Sequence, residues 1–404
     1  MSKTITSPLS ERANNIKDSI TMAVTDLGNQ LKKQGHRVIS FSAGEPDFDT
    51  PQNIKEAGIT SIKAGKTKYT AASGIIELKN AIVKKFKNDN TLTYTNKDIV
   101  ISCGAKHSIY NTLIALINTG DEVIVPSPYW VSYPDQVELV GGKPIIIEAT
   151  DKAGFKITPA QLEAAITPRT KMVIINSPSN PTGAIYTKQE LQALADVILK
   201  HDNIYVLSDE IYEELVYDGT EHYSIASLSK EMQDRTVVIN GVSKAYSMTG
   251  WRIGYTGSTT EIASAMGKIQ SQTTSNPTVA SQWASLEALE GSQEAVETMR
   301  TSFESRRNLM VKELNKIKGM TCLTPPGAFY TFPNVSALYG KTSPEGLVAN
   351  DVDFCAQLLT LYKVACVPGS GFGAPDHIRL TYTASAEDIK EGIDKIKLFV
   401  ESLK

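Results

Sequence analysis

The sequence has few cysteines and no histidine pair arranged for metal binding. Its four cysteines lack the two-residue spacing of a zinc or redox pair, and such sparse use fits a reducing compartment. None of its five histidines is spaced to place two on one helix face as metal ligands. We therefore expect no structural or catalytic metal.

Charge and hydropathy argue against two further classes of protein. Lys and Arg total 41 against 44 Asp and Glu, so the net charge of −3 leaves no basic excess to neutralise a nucleic-acid backbone. The N-terminal stretch has no apolar core of signal-peptide length, and no window of about 18 uncharged apolar residues occurs. We expect a cytoplasmic protein that binds neither nucleic acid nor membrane.

The pattern of apolar runs predicts two domains in these 404 residues. From about residue 95 to 245, runs apolar on both faces alternate with amphipathic stretches, as a parallel sheet covered by helices requires. These runs are "DIVIS", "DEVIVP", "KPIIIE", "KMVIIN", "NIYVLSDE" and "TVVIN". Thr187 and Glu190 form a predicted capping box at the start of one intervening helix. After residue 280, long helical segments and a few short strands indicate a second, α+β domain.

Polar and small residues follow the predicted strands at the sheet edge where ligands of open α/β sheets bind. They are Gly104, Ala105, Lys106, Trp130, Asn180, Asp209, Tyr212, Ser243, Lys244 and Arg252. Each has a structural explanation when taken alone: a turn for the glycine, core packing for the tryptophan, helix capping for the aspartate and surface pairing for the cations. No single residue decides between the two explanations.

Taken together, these residues match the parts of one cofactor. A lysine can form a Schiff base with an aldehyde, and an arginine beside helix N-terminal amides suits a phosphate. An indole can stack on an aromatic ring, and an aspartate can keep a ring nitrogen protonated. Pyridoxal 5′-phosphate combines an aldehyde, a phosphate, an aromatic ring and a pyridine nitrogen. The set therefore predicts pyridoxal phosphate as the cofactor.

Several longer motifs run along nearly the whole chain in a fixed order. They are "SAGEPDFDTP", "GKTKYTAASGI", "GAKHSIYN", "SPYWVSYP", "NSPSNPTG", "SDEIYEEL", "SKAYSMTGWRIGY", "GAFY" and "HIRLTY". In this order and spacing the sequence resembles the class I and II aminotransferases of pyridoxal-phosphate fold type I. Within that family it is most similar to the branch of bacterial aspartate aminotransferases that includes the Thermus and Bacillus enzymes.

The resemblance implies an α/β fold with two domains. The large domain, expected at residues 47–295, has a mostly parallel seven-stranded sheet flanked by helices. The smaller α+β domain is expected to combine residues 1–46 with residues 296–404. The implied partners are small-molecule substrates, an amino acid and a 2-oxo acid.

The resemblance also implies roles around the cofactor ring. Lys244 matches the Schiff-base lysine, and Asp209 matches the partner of the pyridine nitrogen. Asn180 and Tyr212 match residues that hydrogen-bond the phenolic oxygen, and Trp130 matches the aromatic residue that stacks on the ring. Lys244, Asp209 and Tyr212 form the predicted catalytic set.

At the phosphate, the resemblance implies a site shared between two subunits. The residues that match phosphate ligands are Gly104, Ala105, Ser243 and Arg252. Tyr69 matches a tyrosine that reaches the phosphate of the neighbouring subunit. We therefore expect a homodimer with shared active sites.

The substrate positions implied by the resemblance are Gly44, Lys106, Trp130, Asn180 and Arg379. Arg379 matches the arginine that clamps the α-carboxylate, which its planar fork can pair with two hydrogen bonds. Lys106 resembles a lysine that contacts the distal carboxylate of aspartate or glutamate. We therefore expect ping-pong transfer of the amino group from L-aspartate to 2-oxoglutarate.

Three alternatives remain open at this point. An aminotransferase with other or broader specificity, for aromatic amino acids, alanine or prephenate, would share the same motifs, as would a carbon–sulfur lyase. A nucleotide-binding protein finds its best support in "GSGFGAP" at residues 369–375, but the glycine spacing is not that of the dinucleotide fingerprint.

In the N-terminal segment, Asp18 replaces a proline of the family's substrate-closing segment, which leaves the roles of Lys17, Ser19 and Thr21 unassigned.

Overall fold

The computed structural model describes residues 8–16 and 20–404. Lys17, Asp18 and Ser19 lie outside the described residues, so the expected closing segment is not described at those positions. For Thr21 the described part is its backbone, which belongs to a helix. Within the described ranges, no helix is both long enough and apolar enough to cross a membrane.

Fourteen strands and fourteen helices make up the described chain. The strands are β1 (Ile39–Ser40), β2 (Ile99–Ser102), β3 (Glu122–Ser127), β4 (Lys143–Glu148), β5 (Thr170–Asn176), β6 (Tyr205–Asp209), β7 (Thr236–Gly241), β8 (Gly254–Gly257), β9 (Tyr330–Thr331), β10 (Thr342–Ser343), β11 (Gly346–Leu347), β12 (Val364–Ala365), β13 (Val367–Pro368) and β14 (Ile378–Thr381). The helices are α1 (Glu11–Asn15), α2 (Ile20–Lys33), α3 (Gln52–Lys63), α4 (Ile76–Asp89), α5 (Ala105–Leu116), α6 (Ser132–Leu139), α7 (Pro159–Ala165), α8 (Lys188–Ile198), α9 (Lys230–Asp234), α10 (Thr260–Thr273), α11 (Val279–Glu290), α12 (Glu294–Leu314), α13 (Asp351–Tyr362) and α14 (Ala386–Ser402).

The central sheet has seven strands in the order β2-β8-β7-β6-β5-β3-β4. β8 pairs antiparallel with both of its neighbours, whereas the pairs among the other strands are parallel. This confirms the predicted mostly parallel seven-stranded sheet. The six β-rich runs of the sequence correspond to β2 to β7, but β8 was not predicted because "GYTG" is short and has glycine at both ends.

Both faces of this sheet are covered by helices. Val123 and Val125 of β3 belong to a buried cluster that includes side chains of α5 and α10. Ile124, between them, belongs to the opposite cluster with side chains of α8. Because successive side chains of a strand point to opposite faces, this alternation explains why the strand is apolar on both sides.

The predicted capping box at the start of α8 is confirmed. The Thr187 side chain accepts a hydrogen bond from the Glu190 backbone N–H at 3.2 Å. The Glu190 carboxylate in turn accepts one from the Thr187 backbone N–H at 2.8 Å. Two otherwise unpaired helix N–H groups are satisfied in this way.

A separate hydrophobic core lies among the C-terminal elements. Phe303 of α12, Phe354 of α13 and Phe399 of α14 belong to one buried cluster, which also takes in Ile39 of β1. β1 pairs in parallel with β12, so the N-terminal strand is built into the C-terminal part of the chain. On this packing we propose the division expected from sequence, with 47–295 as the large domain and 1–46 with 296–404 as the small one.

Candidate active site

A cavity of about 370 Å³ opens where the strand ends of the central sheet meet the C-terminal part of the chain. Most of the residues singled out in the sequence line it. They are Gly44, Ala105, Lys106, Trp130, Asn180, Asp209, Tyr212, Ser243, Lys244, Arg252 and Arg379. Two others do not line the cavity: Gly104 caps helix α5 beside it, and Tyr69 is 90% exposed on the surface.

Lys244 lies just after β7, where the segment leaves the sheet. Its Nζ donates a hydrogen bond of 2.5 Å to the carbonyl oxygen of Gly44. Burial, together with the positive charge of Arg379, lowers the pKa of Lys244 to about 8. A larger share of this amine is therefore neutral near physiological pH than for an ordinary lysine, which prepares it to act as a nucleophile or base.

Asp209 is the last residue of β6 and is almost fully buried. Its Oδ2 accepts a hydrogen bond of 2.6 Å from the Tyr133 hydroxyl, and its Oδ1 accepts one of 3.3 Å from the Ile211 N–H. Burial raises the pKa of Asp209 to about 6. A carboxylate desolvated in this way is stabilised by a cationic partner, such as the protonated nitrogen of a pyridine ring.

Tyr133 is a site residue that the sequence reasoning missed. Besides its bond to Asp209, its ring meets the ring of Trp130 edge to face, with 5.3 Å between centroids. It lies inside the quoted motif "SPYWVSYP", three residues after Trp130, which is close to one helical turn. That spacing was the available signal, since residues three apart can share one face of a turn.

The N-terminus of helix α5 meets Arg252 at one end of the cavity. Gly104, the residue before this helix, has φ +90°, and a Cβ there would lie 2.3 Å from Nη2 of Arg252. Only glycine fits at this position, because it both tolerates the backbone angle and leaves room for the guanidinium. Arg252 is also held by the Thr249 carbonyl at 2.8 Å. Helix amides beside a guanidinium are a donor set that fits a phosphate group.

Arg379, in β14, is 3% exposed and lies at another wall of the cavity. Its Nη1 donates to the Asn180 side-chain oxygen at 3.1 Å, and its Nη2 donates to the Ser42 carbonyl at 2.8 Å. Its Nε has no hydrogen-bond partner among the described residues, although it is buried. Burial lowers the pKa of Arg379, so this cation gains from binding an anion.

Two further contacts involve residues of the cavity. The Nζ of Lys106 lies 4.8 Å from the centre of the Trp130 ring, and burial followed by the charge of Arg252 lowers the pKa of Lys106. The hydroxyl groups of Tyr212 and Tyr330 lie 2.8 Å apart. The sequence analysis quoted Tyr330 within "GAFY" but gave it no role.

A second group of buried charges lies outside this cavity, and we call it the Lys85 cluster: Lys85, Glu210, Glu213 and His222. Ligand-type atoms of Glu210, Glu213 and His222 lie within 4.8 Å of one another, an arrangement that could hold a metal ion. However, the ammonium group of Lys85 forms an ion pair with Glu213. Glu213 therefore already has a cationic partner from the protein itself.

Comparison with known proteins places this chain in a family. A family model described as aminotransferase class I and II matches residues 36–396. An aspartate aminotransferase of Bacillus sp. (strain YM-2) is 50% identical over 393 residues, which cover 97% of this chain and 99% of that relative. An aspartate/prephenate aminotransferase of Cereibacter sphaeroides is 50% identical over 396 residues, covering 98% and 99%.

Solved structures give the same result for the fold. The crystal structure of the aspartate aminotransferase from Rhizobium meliloti matches with a TM-score of 0.95 and 44% identity, covering 98% of this chain and all of that one. The Thermus thermophilus aspartate aminotransferase with maleate matches with a TM-score of 0.91 and 40% identity, covering 97% and 100%. The predicted fold class is thereby confirmed. The chain belongs to the class I and II aminotransferases, and it is a transferase that depends on pyridoxal 5′-phosphate.

Proposed function

We propose that the chain transfers the amino group of L-aspartate to 2-oxoglutarate, giving oxaloacetate and L-glutamate. One observation carries this proposal. The cavity is lined by four cationic side chains, Lys106, Lys244, Arg252 and Arg379, against the two carboxylates Asp26 and Asp209. A cavity with this excess of positive charge favours ligands with several negative charges, such as a phosphate and a dicarboxylic acid.

The residues around the cavity fit pyridoxal phosphate. When bound, this cofactor supplies an aldehyde and an electron-accepting ring, which allow the amino group to move from one acid to the other. Arg252 and the N-terminus of α5 would hold its phosphate, with Ser243 nearby in the wall. Asp209 would pair with its ring nitrogen, Trp130 would lie against the ring, and the Tyr212 hydroxyl would face its phenolic oxygen.

Arg379 and Lys106 would orient the substrate. Nε of Arg379 has no partner within the described ranges, so Arg379 can present its planar fork to the α-carboxylate, while Asn180 accepts a hydrogen bond from its Nη1. Lys106 would pair with the distal carboxylate that aspartate and 2-oxoglutarate share. Two cations that bind the two carboxylates in this way discriminate against amino acids with an apolar side chain.

Lys244 would move the proton. With a pKa of about 8, its Nζ is close to the working pH, where a base is both available and strong enough to act. The Nζ amine would take the proton from the α-carbon of the substrate as a base, and in its protonated form it would donate a proton as an acid later in the reaction. The Gly44 carbonyl, 2.5 Å from Nζ, gives the ammonium form a defined position.

We further infer a homodimer in the cytoplasm. Tyr69 is 90% exposed and lies away from the cavity of its own chain, so a role at a phosphate requires a second subunit. Ile59, Ile62 and Ile76 are also exposed, and they lie on the helices α3 and α4 that flank Tyr69 in the chain. Mixing a K244A subunit with a Y69A subunit tests the shared site. If Tyr69 acts across the interface, the mixture regains activity that neither variant has alone; no regain contradicts the shared site.

The first test of the proposed reaction is the absorption spectrum of the pyridoxal-phosphate-loaded protein. L-aspartate alone, without an oxo acid, is expected to shift the cofactor band and to release oxaloacetate. The K106A variant is the matched control, because it should weaken the response to aspartate at least about tenfold and leave the response to L-alanine nearly unchanged. A band that ignores aspartate, or an equal loss for both amino acids in K106A, contradicts the assigned substrate.

A second candidate substrate has one specific observation in its favour. The Cereibacter sphaeroides relative, at 50% identity, is named for both aspartate and prephenate. Prephenate has two carboxylates, so Arg379 and Lys106 could receive it in the same orientation. Replacing 2-oxoglutarate by prephenate in the second half of the assay decides whether this chain accepts both.

A further inference from the structure

Tyr330 joins two parts of the cavity that the proposed function assigns to different ligands. It is the first residue of β9, it is fully buried, and its side chain lines the cavity. It contacts Arg379, which would bind the substrate, and Tyr212, which would face the cofactor. It is thus placed to influence both.

The ring of Tyr330 lies against the guanidinium of Arg379, with 4.6 Å between the ring centre and Cζ. Hydrogen bonds from Arg379 reach Asn180 and Ser42 through its two terminal nitrogens, while Nε has no partner among the described residues. The Tyr330 ring therefore adds a contact that helps to set the tilt of the guanidinium plane, together with the ring of Phe372, whose centre lies 5.0 Å from the same Cζ. That tilt decides whether two parallel hydrogen bonds to a carboxylate can form.

The hydroxyl of Tyr330 lies 2.8 Å from the hydroxyl of Tyr212. Within the described part of the chain, no other hydrogen bond is made by the Tyr212 hydroxyl. When Tyr330 donates, the proton of Tyr212 is free to point into the cavity. A hydroxyl that accepts one hydrogen bond is also a stronger donor in the next.

The backbone at Gly44 leaves space for this arrangement. A Cβ at residue 44 would lie 3.3 Å from the Tyr330 hydroxyl oxygen, which is closer than ordinary van der Waals contact. The same residue accepts the hydrogen bond from Lys244. The position of Tyr330 is thus fixed on three sides, by Gly44, Tyr212 and Arg379.

We propose that Tyr330 is a positioning residue that aligns the carboxylate-binding Arg379 and the Tyr212 hydroxyl at the same time. The proposal rests on the proposed function, because it uses the ligands assigned there to Arg379 and Tyr212. The ring of Tyr330 positions the guanidinium of Arg379, and its hydroxyl positions the hydroxyl of Tyr212. The two contributions can therefore be removed separately.

The Y330F variant removes the hydroxyl and keeps the ring. Its dissociation constant for maleate, a dicarboxylate that cannot give up an amino group, should stay within about twofold of the wild type. The pH midpoint of the absorbance change of bound pyridoxal phosphate should rise by about 0.5 unit or more. Without the Tyr330 hydroxyl, the Tyr212 hydroxyl is a weaker hydrogen-bond donor to the phenolic oxygen of the cofactor. More negative charge then stays on that oxygen, so the cofactor proton that is lost in this absorbance change becomes harder to remove.

The Y330L variant removes the ring as well. The dissociation constant for maleate should rise about tenfold, the size expected from losing a desolvated cation–π contact. The Michaelis constants for aspartate and 2-oxoglutarate should rise together, because both use Arg379. If Y330L does not fold, Y330M fills a similar volume without an aromatic face and is measured in its place.

Tyr382 supplies the matched control. It is a fully buried tyrosine in the same part of the chain, and its hydroxyl donates to the Ala328 carbonyl at 3.1 Å without lining the cavity. Y382F should lower the melting temperature but change neither the maleate dissociation constant nor the pH midpoint. Equal shifts in Y382F and Y330F would show a general loss of packing and overturn the proposal.

An unchanged midpoint in Y330F, or an unchanged maleate constant in the folded Leu or Met variant, also overturns it, because both contributions are required. Failure of the proposed function looks different. In that case the wild-type protein itself does not bind maleate or respond to aspartate, whatever the variants do.

Discussion

The cavity and the Lys85 cluster both contain buried charges, but they differ in how those charges are satisfied. In the Lys85 cluster, Glu213 is paired with Lys85 and accepts hydrogen bonds of 2.5 Å from both Asn90 and Asn240. Glu210 accepts from Ser208 at 2.7 Å and from Ser224 at 2.6 Å, and it also contacts His222. The cluster still contains one buried atom without a partner among the described residues, Nδ1 of His222, whereas in the cavity such an atom is the Nε donor of the Arg379 cation.

The same contrast applies to the two buried lysines. Burial lowers the pKa of Lys85, but the charges of Glu213 and Glu214 outweigh it and raise the pKa above the usual value. For Lys244, burial and the charge of Arg379 act in the same direction and lower the pKa. Removing one partner of a buried ion pair destabilises the fold, because the other charge is left uncompensated, whereas a buried cation with an unused donor indicates a ligand site.

The largest expected effect is on turnover. K244A should reduce kcat for the complete reaction by roughly 10⁴-fold or more, because it removes the proton-transferring amine and the cofactor's covalent partner together. In the cofactor-free protein, the melting temperature of K244A should equal or exceed that of the wild type, since a poorly solvated cation is lost. Steady-state kinetics and a thermal melt measure the two quantities. Turnover within about tenfold of the wild type would contradict the role of Lys244.

For K85M we expect the reverse of K244A, a loss of stability with no change in turnover. Without Lys85, the buried Glu213 loses its ammonium partner, although Nε2 of His222 remains 3.9 Å away, and the free energy of unfolding should fall by about 3–5 kcal/mol. The kcat per folded molecule should not change, because the Lys85 cluster does not line the cavity. Urea unfolding measures the loss. The double variant K85M/E213Q is the control, and it should recover most of the stability if the unpaired charge is the cause.

A smaller effect is expected for Y133F, which removes the donor 2.6 Å from Asp209. A hydrogen bond to the charged form is lost, so the Asp209 pKa should rise and its pairing with a pyridine nitrogen should weaken. The dissociation constant of pyridoxal phosphate should increase about tenfold, measured by equilibrium dialysis. Y129F removes a neighbouring tyrosine hydroxyl that does not line the cavity, and it should leave the constant unchanged. Equal constants for Y133F and the wild type would exclude this role.

The smallest effect is a difference in the pH dependence of amine reactivity. In the cofactor-free protein, acetylation of Lys244 by a small reagent should increase as pH rises through about 8, because the neutral amine is present above its pKa. Lys85 should remain unmodified over the same range, because its raised pKa keeps it protonated. Mass spectrometry of the two peptides gives both curves from one experiment. Coincident curves would remove the distinction between the two lysines.

The sequence was sufficient to predict what depends on local patterns and known motifs. The six apolar runs identified β2 to β7, and the residues after them include most of the lining of the cavity. The contacts of Tyr133 and Tyr330 could not be predicted. Tyr133 meets Asp209 across 76 positions and Tyr330 meets Tyr212 across 118, so no spacing within a motif contains either contact. Such contacts exist only once the sheet and the C-terminal core are packed together.

The close approach of Arg252 to Gly104 limits how this site can change in evolution. A side chain at residue 104 overlaps the guanidinium and is also strained by the positive φ, so an alanine there is unfavourable even if the arginine is lost. Loss of the arginine removes a cation from the cavity before any new residue can replace it. Residue 104 is therefore expected to remain glycine whatever residue stands at 252, because the backbone angle alone already favours glycine there.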